Sequence, residues 1–230
     1  VCDKPECGPD HAPYSKRAMA ADQVAVMRAF GFDRFHLAGH DRGGRVAHRL
    51  ALDHPEAVRS VAVLDIAPTQ TMYARTDRRF ATGYYHWFFL IQPAPLPARL
   101  IGADPEFYLR QKIAAWNRTG MEVFAPDALA EYIRCFCNQD AIAASCEDYR
   151  AAATIDLDHD AADAEARISA PFLALWGERG LVGQLYDVLE TWREKAVDVR
   201  GTGLPCGHFL PEEMPDATAA ALIAHASTSA

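Results

Sequence analysis

Apolar residues along this chain follow two alternating patterns. Short continuous apolar runs alternate with stretches in which apolar residues recur every three or four positions, as expected for strands linked by helices. Ser15 begins the first helical stretch, which continues through Phe30 and stops at Gly31. We predict a packing helix there. The pattern as a whole predicts an α/β fold with a mostly parallel sheet.

The strands of this sheet are predicted from runs that end at turn residues. They cover residues 35–38, 60–64, 171–177 and, as a short strand, 197–200. Helices are predicted between them, from Val46 toward His54, around 185–195, and after a loop at 207–213. Strand, helix, strand in this order is a βαβ unit, whose chemistry usually lies at the carboxyl ends of the strands.

Residues 67–167 differ from the rest of the chain. They hold more than half of its aromatic residues and no convincing strand pattern. We therefore predict a core in two parts, residues 1–66 and 168–230, separated by a helical cap at 67–167. The sequence begins with Val, and residues 1–5 resemble the end of a strand that runs into a loop. We expect that the chain starts inside a domain and lacks earlier strands.

The amino-acid composition and net charge indicate which kinds of binding partner are unsuited to this protein. The net charge is −8 and the isoelectric point is near 5.6, which argues against nucleic acid or an anionic membrane as the main partner. No apolar run reaches membrane-spanning length. The six cysteines lack zinc-ribbon and C-x-x-C spacing, so we interpret them as reduced thiols of a cytoplasmic protein.

Acidic residues at 156, 158 and 160 have the spacing of a calcium loop, but its continuation is absent. The loop requires Gly at its sixth position and Glu at its twelfth, where this chain has Ala161 and Arg167. We predict a solvated loop and no metal site.

A candidate nucleophile lies between the first strand and its helix. In Gly39-His40-Asp41-Arg42-Gly43 the glycines permit the sharp turn of a nucleophile elbow, with aspartate in the exposed central position. Carboxylate attack on a saturated carbon gives an ester that water can cleave, which indicates dehalogenation or epoxide opening. The alternative interpretation is a structural aspartate that caps the helix. Downstream, His208 follows the last strand, in the order typical of such enzymes.

Further motifs support one family. The segments GHDRGGRV (39–46), VLDIAPT (63–69), YHW (85–87), QPAPLP (92–97), CEDYR (146–150) and GHFLPEE (207–213) together resemble the fluoroacetate (haloacetate) dehalogenases. The resemblance covers nearly the whole chain and implies the α/β-hydrolase fold. It also implies a short haloacid and water as substrates, no cofactor or metal, and a homodimer.

The resemblance assigns roles residue by residue. It implies Asp41 as nucleophile, His208 as base and Asp65 as the acid that orients His208, with Glu178 as a weaker candidate for that acid. It places the substrate carboxylate on Arg42 and Arg45, whose guanidinium groups suit a carboxylate. The halide site implied by the family is formed by His86, Trp87 and Tyr149, and Trp116 is a candidate for lining the same cavity.

Two other functions stay open at this point. An epoxide hydrolase would use the same aspartate, with Tyr84, Tyr85 or Tyr149 as acids. A non-catalytic binding protein on the same scaffold would tend to lose a triad residue, whereas Asp41, Asp65 and His208 are all present. The chain also departs from the family, whose members carry further strands and a His-Gly loop before the first helix.

Overall fold

A computed structural model describes residues 4–228. Its strands form one sheet in the order β1-β2-β3-β4, with every neighbouring pair parallel. They are β1 (Phe35–His40), β2 (Val58–Leu64), β3 (Phe172–Gly177) and β4 (Val199–Leu204). The predicted α/β arrangement with a parallel sheet is confirmed. The interpretation of residues 1–3 as a strand end lies outside the described residues.

Helices cover both faces of this sheet. One face packs against α1 (Lys16–Ala29) and α2 (Arg42–Asp53) in a large apolar core, and the other packs against α14 (Pro215–Thr228) in a smaller one. The remaining helices of the sheet region are α11 (Leu181–Leu185), α12 (Val188–Arg193) and α13 (Leu210–Glu213). Burial on two faces explains why the strands have continuous apolar runs.

The first helix follows its sequence signals. The hydroxyl of Ser15 accepts a hydrogen bond from the backbone N–H of Ala18 at 3.1 Å, which caps the first turn. The helix ends beside Gly31, whose φ of 84° suits glycine.

Two predicted elements near the carboxyl end of the chain have different bounds. The last strand is β4 and extends beyond the predicted 197–200. The prediction stopped too early because Gly201 and Gly203 are poor strand formers, yet both lie inside the strand. The single helix predicted at 185–195 is two helices, and Asp187 starts the second by accepting a hydrogen bond from the N–H of Glu190 at 2.9 Å.

The residues between β2 and β3 contain helices and no strand within the described range 65–171. We call this range the helical segment. Its helices are α3 (Thr69–Ala74), α4 (Arg78–Gly83), α5 (Tyr85–Leu90), α6 (Leu96–Gly102), α7 (Pro105–Trp116), α8 (Pro126–Phe136), α9 (Gln139–Ala153) and α10 (Ile155–Ala162).

The prediction of a solvated loop at 156–160 is wrong, because these residues lie inside α10. Asp156 is buried, and its carboxylate accepts a hydrogen bond from the backbone N–H of Lys16 at 2.8 Å. Acidic residues in the first turn of a helix are also favoured by its dipole. The cluster of aspartates is therefore a helix start that ties α10 to α1.

Two further properties bear on the sequence predictions. The cysteines of the described residues are free thiols, namely Cys7, Cys135, Cys137, Cys146 and Cys206, while Cys2 lies outside that range. Within residues 4–228, no helix combines the length and apolar composition that a membrane crossing requires.

Candidate active site

Asp41 lies on the turn between β1 and α2, in a backbone conformation that few non-glycine residues adopt. Its φ is 45° and its ψ is −115°, and its N–H donates to the carbonyl of Leu64 at 3.2 Å. Gly39 allows the helix to approach, since a Cβ there would lie 2.4 Å from the carbonyl oxygen of Gly43. The Asp41 side chain makes no capping hydrogen bond to the helix. The turn therefore presents the carboxylate instead of using it as a cap.

A histidine and a second aspartate meet at the neighbouring strand ends. Asp65 follows β2, and its carboxylate accepts hydrogen bonds from the N–H of Gly177 at 3.0 Å and from Nδ1 of His208 at 2.7 Å. Nε2 of His208 lies 3.7 Å from Oδ2 of Asp41. The three side chains therefore form a chain of contacts with His208 in the middle.

Glu178, the alternative acid, is exposed and makes no hydrogen bond to His208. Asp65, and not Glu178, is therefore the carboxylate that accepts a hydrogen bond from Nδ1 of His208.

Neighbouring charges determine the protonation states of Asp41 and His208. Burial alone would lower the pKa of His208, but the nearby carboxylates of Asp41 and Asp65 raise it to about 9, Asp65 also through its hydrogen bond. Burial would raise the pKa of Asp41, but His208, Arg45 and Arg42 hold it well below its usual range. At neutral pH the unreacted site therefore contains an ionised Asp41 beside a protonated His208.

Arg42 and Arg45 both lie in α2. In each guanidinium group, two of the three nitrogens donate hydrogen bonds to the protein. Arg42 donates from Nε and Nη2 to Asp148, and Arg45 donates from Nη1 to Thr69 at 2.8 Å and from Nη2 to the sulfur of Met72 at 3.3 Å. Nη1 of Arg42 and Nε of Arg45 are buried and have no partner among residues 4–228. Buried N–H groups of charged side chains are costly to leave unpaired, so these two favour an anionic ligand.

A cavity of about 290 Å³ opens above Asp41. Its walls come from the elbow, from the helical segment and from the loop that carries His208 and Phe209, and most of them are apolar. The residues with polar groups on this cavity include Asp41, His86, Lys112, Trp116, Tyr149 and His208. Trp116, named from the sequence as a candidate for lining it, also accepts the backbone N–H of His208 at 3.1 Å with its own carbonyl.

The three side chains predicted to hold a halide lie together near this cavity. The ring centres of His86 and Tyr149 are 5.5 Å apart, and those of Trp87 and Tyr149 are 6.3 Å apart. Nε2 of His86, the indole N–H of Trp87 and the hydroxyl of Tyr149 have no hydrogen-bond partner within the described residues. His86 and Tyr149 line the cavity, whereas Trp87 is buried beside them, 1% exposed, and is not among the lining residues.

Comparison with known proteins places this geometry in a family. The α/β hydrolase fold family matches residues 3–215. A fluoroacetate dehalogenase from Burkholderia sp. is 47% identical over 216 residues, which are 94% of this chain and 71% of that protein. The chain belongs to the fluoroacetate dehalogenase family of α/β hydrolases.

Other α/β hydrolases are also similar to the chain. A soluble epoxide hydrolase from Corynebacterium sp. strain C12 is 30% identical over 88% of this chain and 70% of its own length. The solved structure of a candidate α/β hydrolase from Nostoc sp. PCC 7120 is 59% identical, with a TM-score of 0.96 over 98% of this chain and 77% of that one. The fold is therefore shared with a protein named for a different chemistry.

Sequence reasoning missed several residues that support the site of this dehalogenase-family chain. Glu213, buried in α13, accepts the N–H groups of Gly207 at 2.8 Å and Phe209 at 3.0 Å, which fixes the backbone on both sides of His208. Asp148 holds Arg42, and Lys112 contacts His86. The available signals were weak: Glu213 and Asp148 lie inside quoted motifs, but their contacts depend on tertiary packing.

One group of metal-ligating side chains lies away from the cavity. Cys7, His11 and Glu147 place a sulfur, a ring nitrogen and a carboxylate oxygen within 4.8 Å of one another. These atoms already bond to each other, with His11 Nδ1 and Glu147 Oε2 2.7 Å apart, and Arg150 pairs with the same carboxylate. The distances between these atoms are those of hydrogen bonds. Arg150 already neutralises the Glu147 carboxylate that a metal cation would need, so the group does not indicate a metal site.

Proposed function

We propose that this protein hydrolyses the carbon–halogen bond of a short 2-haloacid, such as fluoroacetate or chloroacetate, to give glycolate and halide. The proposal rests on one observation above all. Nη1 of Arg42 and Nε of Arg45 are buried near an ionised nucleophile, and neither has a hydrogen-bond partner among residues 4–228. A substrate carboxylate supplies the missing acceptors and holds the halogen-bearing carbon near Asp41.

The first step is alkylation of the enzyme. A carboxylate oxygen of Asp41 attacks the carbon that carries the halogen, a carbon–oxygen bond forms, and the halide leaves with the bonding electrons. The N–H groups of His86 and Trp87 and the hydroxyl of Tyr149 stabilise the departing anion. Burial and the charge of Asp41 raise the pKa of Tyr149, so its hydroxyl stays a donor.

The second step is hydrolysis of the ester on Asp41. His208 takes a proton from water through Nε2, and the hydroxide attacks the carbonyl carbon of the ester. The intermediate collapses, and the departing oxygen takes the proton back from His208 as glycolate leaves. The acid left on Asp41 passes its proton to His208, which regenerates the carboxylate beside a protonated ring. Asp65 orients the ring through Nδ1 at 2.7 Å and stabilises its charge, which is a positioning role.

Alkylation itself prepares the base for the second step. In the free protein His208 has a pKa of about 9, raised by Asp41 and Asp65 once the opposing effect of burial is overcome. Ester formation removes the charge of Asp41, so the pKa of His208 falls toward the range in which a base is useful. His208 then releases its proton to solvent, so the ring can accept a proton from water only after the covalent intermediate exists.

Epoxide hydrolysis is the second candidate, favoured by the tyrosines on the cavity. Tyr108 and Tyr149 both line it, whereas Tyr84 is buried behind it and Tyr85 is turned outward, 49% exposed. A neutral epoxide, however, would leave the two guanidinium N–H groups unpaired. We therefore rank a haloacid above an epoxide. A purely ligand-binding role is disfavoured because the triad is complete.

We further propose that residues 67–167 act as a cap over core parts 1–66 and 168–230. This division is supported by the cavity, whose walls combine Asp41 and His208 with side chains of the helical segment. A cytoplasmic location is consistent with the free thiols. Self-association as a homodimer stays a prediction of the family resemblance.

The test is release of halide from fluoroacetate and chloroacetate, measured beside hydrolysis of styrene oxide. The matched control is Asp41→Asn, which keeps the shape of the side chain and removes the nucleophile. The proposal expects halide from the wild type and none from the control. Styrene oxide hydrolysis without halide release would favour the epoxide hydrolase, and no turnover of either substrate would favour a binding protein.

A further inference from the structure

Lys112 brings an ammonium group from α7 to the wall of the active-site cavity. Its Nζ lies 3.1 Å from Nδ1 of His86, and it sits 4.6 Å from the ring centre of Tyr85 and 4.8 Å from that of Trp116. Among residues 4–228 no carboxylate lies within ion-pair distance of it, and His86 is its hydrogen-bond partner. Two aromatic faces and one imidazole nitrogen therefore hold this cation.

The contact determines which nitrogen of His86 carries the proton. An ammonium group has three donors and no acceptor, so Nδ1 of His86 must be the acceptor. A neutral imidazole that accepts at Nδ1 carries its hydrogen on Nε2. In the Nδ1-protonated form both nitrogens, which lie 3.1 Å apart, would carry hydrogen and neither could accept.

The charge states agree with this assignment. Burial, and then the neighbouring charge of Lys112, lower the pKa of His86 well below its usual value, so the ring is neutral. Burial lowers the pKa of Lys112 to about 8, with Asp41 acting in the opposite direction, so the amine is mostly protonated at neutral pH. A charged donor thus faces a neutral ring.

The consequence appears on the other side of the ring. Nε2 of His86 has no hydrogen-bond partner within the described residues, and the ring lines the cavity with Asp41 and Tyr149. With its hydrogen on Nε2 the ring presents a donor to an anion in the cavity. With its hydrogen on Nδ1 it would present a lone pair, which repels an anion.

We propose that Lys112 is a positioning residue that locks His86 in the tautomer with hydrogen on Nε2, so that this N–H points to the departing halide. The inference rests on the proposed dehalogenase function, which it deepens by naming what orients one of the halide donors. Lys112 acts through His86 and does not itself bond to the reacting atoms.

The first test is spectroscopic and does not depend on turnover. Ring ¹⁵N NMR of the full chain at neutral pH, with the His86 signals identified by their loss in His86→Gln, reports which nitrogen carries hydrogen. We expect a protonated Nε2 and an unprotonated Nδ1 in the wild type. Lys112→Met, which keeps an unbranched chain against the two aromatic rings, should shift both signals toward a mixture of tautomers.

The second test is kinetic. Lys112→Met should lower kcat on fluoroacetate by roughly tenfold, which is less than the roughly 10²–10³ that a fully lost transition-state donor costs, because part of the ring population keeps its hydrogen on Nε2. The loss should be smaller on bromoacetate, whose leaving group needs less help. Lys112→Arg, which keeps a charged donor, should recover part of the loss. Lys195→Met is the matched control, because Lys195 lies outside the cavity and the same charge is removed.

The outcomes separate the inference from the function it rests on. A wild-type ring with hydrogen on Nδ1, or tautomers unchanged in both Lys112→Met and Lys112→Leu, neither of which can donate to Nδ1, would overturn the role of Lys112 even if halide is released. Wild-type protein that releases no halide but shows the locked tautomer would contradict the dehalogenase function and leave the tautomer assignment standing. Melting curves identify any variant that fails to fold. If Lys112→Met fails to fold, the tautomer measured in Lys112→Leu decides whether Lys112 positions His86.

Discussion

Asp148 fixes the guanidinium of Arg42 through both its side chain and its backbone. Its carboxylate accepts a hydrogen bond from Nε, and its carbonyl accepts one from Nη2 at 3.0 Å. Lys16 pairs with the other oxygen of the same carboxylate. The arrangement leaves only Nη1 of Arg42 without a partner among the described residues. Asp148 therefore selects which nitrogen is offered to a substrate.

This relationship predicts the effect of Asp148→Asn. The amide keeps the shape but loses the charge that orients Arg42, while Lys16 retains Asp156 at 3.5 Å. We expect KM for chloroacetate to rise roughly tenfold, the cost of weakening one charge-assisted contact by about 1–2 kcal/mol, with a smaller change in kcat. Steady-state kinetics measure this. Asp158→Asn, on the exposed face of α10, is the control, and equal KM values in the two variants would remove the positioning role of Asp148.

Arg42 itself should discriminate between charged and neutral substrates. Arg42→Leu removes the N–H that we assign to the substrate carboxylate, so kcat/KM for haloacetate should fall roughly a hundredfold, as for a lost charge-assisted contact of about 2–3 kcal/mol. Haloacetamide, which has no carboxylate, should lose much less. An equal loss on both substrates would show that Arg42 does not bind the carboxylate.

The protonation of His208 should depend on the charge of Asp41. With the pKa of His208 raised to about 9, the ring is positive at neutral pH and loses its charge as the pH rises through that value. Asp41→Asn imitates the neutral ester, because it removes the same charge. We expect the pKa of His208 to fall in this variant, so that the neutral ring becomes available at lower pH. NMR titration of the His208 ring protons measures the shift, and an unchanged midpoint would refute the coupling between alkylation and the base.

Trp87 tests the halide site. Fluoride is a small and basic anion that leaves a strong bond, so its departure needs more donors than that of bromide. Trp87→Phe keeps most of the packing of this buried ring and deletes its N–H. We expect a much larger loss of activity on fluoroacetate than on bromoacetate. The control is Trp176→Phe in β3, which should show no such preference, and equal losses on both halides for Trp87→Phe would place the halide elsewhere.

The sequence predicted those parts of the site that follow from local chemistry. The elbow was visible because glycines flank Asp41 and a strand and a helix meet there, and His208 was visible from chain order. The contacts of Lys112 and Asp148 could not be predicted from the sequence, because each joins two separate helices. Lys112 contacts His86, and Asp148 contacts Arg42. Residues 156–160 were misassigned because aspartate is a weak helix former, and the partner that buries Asp156 is the distant Lys16.

The central claim is that Asp41 forms a covalent ester that His208 is needed to cleave. In His208→Asn the nucleophile is intact and the base is gone, so alkylation can proceed while hydrolysis stops. Intact-mass spectrometry after incubation with chloroacetate should show the mass of one added carboxymethyl group, and peptide mapping should place it on Asp41. A variant that folds as the wild type does and stays unmodified after long incubation would contradict the covalent mechanism.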